Sequence, residues 1–211
     1  MMRPPPAAKP RTTLIIVASV VGGVLFLGCA MGAVFYLAFV HEFEEPMTQA
    51  DRDVLLTPDK LTEFVELEFD PAIGKAKRVR YLDGSRELSY EYESPDGAED
   101  PLYVLSSVNL ERNVSDAHFV YMGANLGLKL GMALEGEEGL QEVARPGLFQ
   151  WGDESRAVVL MRDDKPVGNV FAGRKGKRVF HILLVGVYFD EHGQVEAALG
   201  PVLRRFEAYN P

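Results

Sequence analysis

Residues 13–40, TLIIVASVVGGVLFLGCAMGAVFYLAFV, contain no charged side chain. A helix rises about 1.5 Å per residue and needs about 20 apolar residues to cross a hydrocarbon core. The stretch is therefore long enough to span a bilayer, and a lone span has to be helical to satisfy its own backbone. The flanks set a direction. Arg3, Lys9 and Arg11 precede the stretch, while Glu42, Glu44 and Glu45 follow it. Basic residues stay on the cytoplasmic side, which predicts a cytoplasmic N-terminus and an extracytoplasmic C-terminal domain. The arrangement reads as a single-pass signal-anchor, with the membrane itself as a partner. Two other outcomes for this stretch are cleavage after a short apolar region and lipid attachment at Cys29.

Within the stretch, Ala18 and Gly22 lie four apart, as do Gly28 and Gly32. Small residues at that spacing let two helix backbones approach closely in lipid, so a homodimer through the transmembrane helix is an expected mode of association.

This reading divides the chain into a Pro-rich basic tail (1–12), a transmembrane helix (13–40), a linker (41–56) and one folded domain (57–211). All three basic residues before position 41 lie in the tail, which leaves 19 Lys and Arg against 31 Asp and Glu in the remainder. Such an acidic domain repels phosphate backbones, and nucleic acid is excluded as an expected partner. The only cysteine, Cys29, is inside the apolar stretch, so no disulfide can staple the domain. Its stability has to come from a packed core.

Periodicity supplies the elements. Thr48 and Asp51 have the spacing of a capping box for a short helix over Gln49 to Leu55. Thr57-Pro58-Asp59 suits the start of a second. Lys75 to Leu82 and Ser85 to Glu93 alternate around Asp83-Gly84, the signature of a two-residue hairpin loop. That register places Val79 opposite Leu88 and Arg80 opposite Glu87. A third strand follows over Leu102 to Leu110. A helix from Asp116 to Met132, with Ser115 as N-cap, would bury Phe119, Met122, Leu126 and Leu130. Gly123, Gly127 and Gly131 recur along it, which suggests close approach to a neighbour. Strands are expected at Leu140 to Ala144 and Leu148 to Trp151. A hairpin over Ser155 to Arg162 and Val167 to Ala172 turns at Asp163-Asp164-Lys165-Pro166. The strand Arg178 to Phe189 is apolar on both faces over ILLVGV (182–187), which marks it as central. A final helix carries Val195, Ala198, Leu199, Val202 and Phe206 on one stripe, with Pro201 expected to kink or restart it.

The predicted fold class is α+β: an N-terminal single transmembrane helix followed by one antiparallel-sheet domain packed with helices. The order of elements over 60–208, most visibly VFHILLVGVYFDEHGQVEAALGPVLRRF, resembles the PsbP/Mog1-like α/β/α sandwich. That resemblance implies a binding or assembly module more than an enzyme, although one fold hosts many functions.

Candidate chemistry is sparse. Asp116 and His118, and likewise Asp190 and His192, sit near the starts of the two main helices, and would be metal ligands if brought together. The alternative is that aspartate suits a helix N-terminus and the histidines are surface residues. No HExxH, cysteine set, serine elbow or phosphate-binding loop is present. His181 reads as a bonded histidine within a strand, and Trp151 as a core residue. Arg174, Lys175, Lys177 and Arg178 form the one basic patch, a hairpin tip or a contact for an anion or acidic partner. No catalytic residue and no cofactor is assigned. The expected function is a membrane-anchored, non-catalytic binding or assembly module for an unknown protein or small ligand. The alternative is a membrane-tethered hydrolase or metal-dependent enzyme.

Overall fold

Alternating strand formers, with tight turns between the second and third, the sixth and seventh, and the seventh and eighth strands, dictate what the chain builds. Eight strands form one sheet in which every neighbouring pair is antiparallel. The structure, a computed structural model, describes residues 42–211 other than 66, 68, 96–97, 99–100 and 135–139, and gives the backbone alone at 42 and 126–134. In chain order the elements are β1 (Glu42–Glu44), α1 (Gln49–Asp53), α2 (Pro58–Leu61), β2 (Lys75–Tyr81), β3 (Arg86–Glu93), β4 (Tyr103–Leu110), α3 (Val114–Leu134), β5 (Leu140–Ala144), β6 (Glu154–Arg162), β7 (Lys165–Lys175), β8 (Arg178–Val185) and α4 (His192–Ala208). The strands lie in the order β1-β2-β3-β4-β8-β7-β6-β5. Glu42–Pro211 forms one unit by its internal contacts.

Alternation along each strand separates two faces. The inner face carries Leu88, Tyr90 and Tyr92 of β3, Val104 and Val108 of β4, Phe171 of β7, and Phe180, Ile182 and Leu184 of β8. Against it pack Val54, Leu55, Leu56 and Leu61 from the α1–α2 segment, and Val195, Leu199, Val202 and Phe206 from α4. Asn169, fully buried on this face, both donates to the Phe189 carbonyl (3.1 Å) and accepts from the Phe189 amide (2.6 Å). It thereby fixes the segment that leads into α4. Helix α4 runs unbroken through Pro201, its stripe intact.

The outer face is covered by α3. Ala117 and Tyr121 of that helix pack on Ala172 and Val179. Val158, Leu160 and Val170 form a neighbouring cluster. The sheet is thus sandwiched between helices, with the larger core on its inner side.

Several expectations need correction. The fold class, an N-terminal single transmembrane helix ahead of a sheet domain, is replaced by a single eight-stranded antiparallel sheet with its helices. No helix among the described residues is long and apolar enough to cross a membrane. The physical reason is visible in the two long helices. Helix α3 includes Asp116, His118, Asn125 and Lys129, and α4 includes Glu196, Arg204, Arg205 and Glu207. The single-pass, signal-anchor membrane reading is withdrawn with it. Residues 13–40, with Ala18, Gly22, Gly28 and Gly32, lie outside the described residues.

The first hairpin is also out of register. Its loop is three residues, Leu82 to Gly84, and the Tyr81 amide donates to the Ser85 carbonyl (2.9 Å). Of the three, only Gly84 has positive φ, at 89°, as a type I turn followed by a left-handed residue requires. Arg78 therefore lies opposite Leu88, and Val79 opposite Glu87. Residues 148–151 form no strand, although Leu148 and Phe149 are buried.

Candidate functional site

Helix α3 is the element whose surroundings least match its composition. It starts one turn after β4, and Asn113 caps it. The Asn113 side chain accepts from the Asp116 amide (2.9 Å) and donates to the Asp116 carboxylate (2.7 Å). One orphan amide of the first turn, that of Asp116, is satisfied this way, with Asn113 in the role expected of Ser115.

The described part of the helix docks through small and polar groups. Ala117 is fully buried and Tyr121 nearly so. His118 Nδ1 lies 3.1 Å from the Glu154 carboxylate. Asn125 donates to the Tyr121 carbonyl (2.8 Å) and accepts from Arg156 (3.1 Å), which also holds Glu142. A helix held by an alanine, a tyrosine and polar ties can sit close to the sheet.

The opposite side of α3 is bare. Phe119 is 70% exposed and Met122 54%. A Cβ placed on Gly123 would meet nothing within 4 Å. The expected buried stripe of Phe119 and Met122 therefore faces solvent, and the expected close approach at Gly123 is not made. Leu126 and Leu130, and the side of the helix at Gly127 and Gly131, lie where only the backbone is described. Large exposed apolar residues grouped on one helix face are unusual on a protein surface and mark contact sites. This face is the candidate site.

The other sequence candidates are scattered. Asp116 is occupied by Asn113 and lies 3.7 Å from Arg112. His118 is held by Glu154 on the outer side. His192 starts α4 on the inner side, its Nδ1 3.1 Å from the Leu148 carbonyl, and Asp190 is exposed. The sheet separates the two Asp–His pairs. Among the described residues no group of three or more His, Cys, Asp or Glu is placed to hold a metal. In the basic hairpin tip, Arg174 binds Glu154 (2.6 Å) and Asp153 (3.1 Å), and Lys175 binds Glu207 (2.8 Å). Arg178 donates to the carbonyls of Phe206 (3.1 Å) and Tyr209 (3.0 Å), capping the end of α4. Lys177 is exposed at the turn. Trp151 packs on Phe180 and Phe206 and donates to Glu207 (2.8 Å). An open depression of about 260 Å³ lies near the far ends of β2 and β3, lined by Ile73, Lys75, Glu91, Glu93 and Ser94. Its charges are of both signs.

Two titratable groups near α3 are displaced far from their usual ranges. His181, buried under α3, has its pKa pushed down to about 4 by burial, against a weaker backbone hydrogen bond at Tyr121. Glu111, between β4 and α3, is pushed up to about 7, first by burial and then by Asp83, Asp116 and Glu87. Its sign follows from linkage. A carboxyl that holds its proton more tightly folded than unfolded costs stability as pH rises from about 4.5 to about 7, and the cost persists above that range. Glu111→Gln is therefore expected to stabilise the protein at pH 8 by on the order of 1–2 kcal/mol and to be neutral at pH 4. Melting curves of both proteins at the two pH values test this. Equal melts at pH 8 refute it.

Comparison of the chain with family models, with curated proteins and with solved structures finds no match.

Proposed function

We propose that residues 42–211 form a non-catalytic binding or assembly module that takes a protein partner on the exposed side of α3. The observation that carries this reading is the pair Phe119 and Met122, one turn apart, in solvent, on a helix already docked by its other side. Aromatic and Met side chains in such a setting are the residue types that anchor protein contacts. The sandwich resemblance noted for the element order over 60–208 implies the same class of function. The separation of the Asp–His pairs across the sheet favours binding over the hydrolase or metal-enzyme reading.

The test compares the wild-type full chain with the double variant Phe119→Ser, Met122→Ser, each recovered from its own cells after crosslinking. Both positions are exposed, so the melt is expected to shift by no more than about 0.5 kcal/mol in stability. A partner seen with the wild type is expected to be lost by at least about tenfold, as for a contact anchor. The same partners in equal yield from both chains sink the proposal.

A further inference from the structure

We propose that His181 is an acid-sensitive latch: when its imidazole takes up a proton, α3 lifts from the outer face of the sheet while the inner core stays folded. His181 lies in the middle of β8, paired in register with Ala172 on one side and Ser107 on the other. It is 7% exposed and lies under α3, its ring stacked on that of Tyr121 with centroids 6.4 Å apart and planes 24° from parallel. Its Nε2 is buried without a hydrogen-bond partner. A neutral imidazole tolerates that position. An imidazolium would bring a second proton donor and a full charge into a site with no acceptor for either.

Beyond the weaker backbone hydrogen bond at Tyr121, the groups around it offer no compensation. From β7, Arg174 lies on the same face two residues beyond Ala172, and it is already held by Glu154 and Asp153. From β6, Arg156 lies opposite Ala172 and is held by Glu142 and Asn125. From β4, Ser107 and Asn109 are uncharged. From α3, Tyr121 has its phenol pKa raised by burial and stays neutral, Asn125 is uncharged, and His118 pairs with Glu154 at the helix edge. Glu142, Asp153 and Glu154 already face an arginine or His118, Glu87 of β3 accepts from Tyr81, and Glu111, past the end of β4, has its own pKa raised by burial.

The direction of the effect follows. The lifted state leaves His181 with the ordinary pKa of about 6.5, against about 4 when α3 is docked. The lifted state thus binds more protons between these values, and docking is lost as pH falls through that window. From pH 7 to pH 5 the equilibrium for lifting rises roughly twentyfold. Release is local because the described contact of α3 is the small Ala117–Tyr121 cluster, distinct from the inner core.

Hydrogen exchange of the full chain at pH 7 and pH 5, corrected for intrinsic amide rates, tests the latch. Amides of 117–134 are expected to lose protection by roughly twentyfold relative to β3, β4 and α4. His181→Gln should make α3 protection independent of pH over this range, and His118→Gln should leave the acid release in place. If His181→Gln does not fold, the wild-type exchange decides alone. Uniform loss across all elements, no selective loss at α3, or a full acid response in folded His181→Gln each overturn the proposal.

Discussion

Leu184→Asp abolishes folding. Leu184 is fully buried on the inner face of β8, opposite Val104 of β4 and Asn169 of β7. It belongs to the cluster that joins the sheet to α4. A carboxylate there has no cation within the cluster and no path to water. Burying it unpaired costs several kcal/mol at least, and the lost leucine adds a cavity term of about 2–5 kcal/mol. A domain of this size has only about 5–15 kcal/mol of net stability. The soluble fraction, the circular dichroism spectrum and the thermal melt are the measurements. Leu184→Ala is expected to fold with a lowered melt, and Tyr188→Asp, at a 45% exposed position nearby, to melt like the wild type. A soluble Leu184→Asp protein with the wild-type melt would mean that β8 is not the central strand.

Strand β8 was legible because its run is apolar at consecutive positions. Ile182 and Leu184 turn inward and Leu183 and Val185 outward, and both faces are covered. The Thr48–Asp51 capping box was legible for a similar reason, since cap and partner are three residues apart. The β2–β3 hairpin was not. Asp83-Gly84 is compatible with a two-residue loop, where both residues need positive φ, and with a three-residue loop, where only glycine does. One residue of slip exchanges the faces. At Asp163 and Asp164 the chain takes the other option, with φ of 50° and 60° at two non-glycine residues. Nothing local in the strands decides between the loops, because KAKRVR has one large apolar residue and four cations.

Helix α3 shows a different limit. Its sequence carries two apolar stripes, one through Ala117 and Tyr121 and one through Phe119 and Met122. Hydrophobic periodicity finds stripes but does not say which one meets the sheet. The smaller stripe docks because Ala117 lets the helix come close to Ala172 and Val179. The bulkier one is left over, and that surplus is what makes the face a candidate site. His181 was legible as a strand histidine, expected to be bonded. Its unpartnered Nε2 was not, because that depends on α3 lying overhead.

Asp51→Ala should destabilise the protein by about 3–5 kcal/mol, the range for breaking one side of a buried ion pair. Asp51 is 1% exposed, and four donors converge on it. The Thr48 amide (2.7 Å) and hydroxyl (2.8 Å) and Arg78 Nη1 (2.7 Å) reach Oδ2, and the Tyr209 hydroxyl reaches Oδ1. The slipped hairpin is what turns Arg78 inward to this carboxylate, so the network ties β2 to α1 and to the C-terminal residues. Burial alone would raise the carboxyl pKa. The bonds from Tyr209, Thr48 and Arg78 outweigh it and hold the group at about 2, against an ordinary 3.8. Because the folded value is the lower one, the group contributes its stability fully above pH 3.8 and loses it as pH falls towards 2. That share is about 2 kcal/mol. The wild-type melt should therefore fall more steeply between pH 4 and pH 2 than that of Asp51→Ala, which lacks the titrating group. Tyr209→Phe removes one donor and should cost about 1–2 kcal/mol while Arg78 keeps its partner. Urea melts at pH 7 give the two losses, and thermal melts across pH 2–4 give the slope. If Asp51→Ala melts like the wild type at pH 7, the carboxylate does not hold these three segments together. If it is destabilised but keeps the wild-type slope in acid, the low pKa belongs to another group.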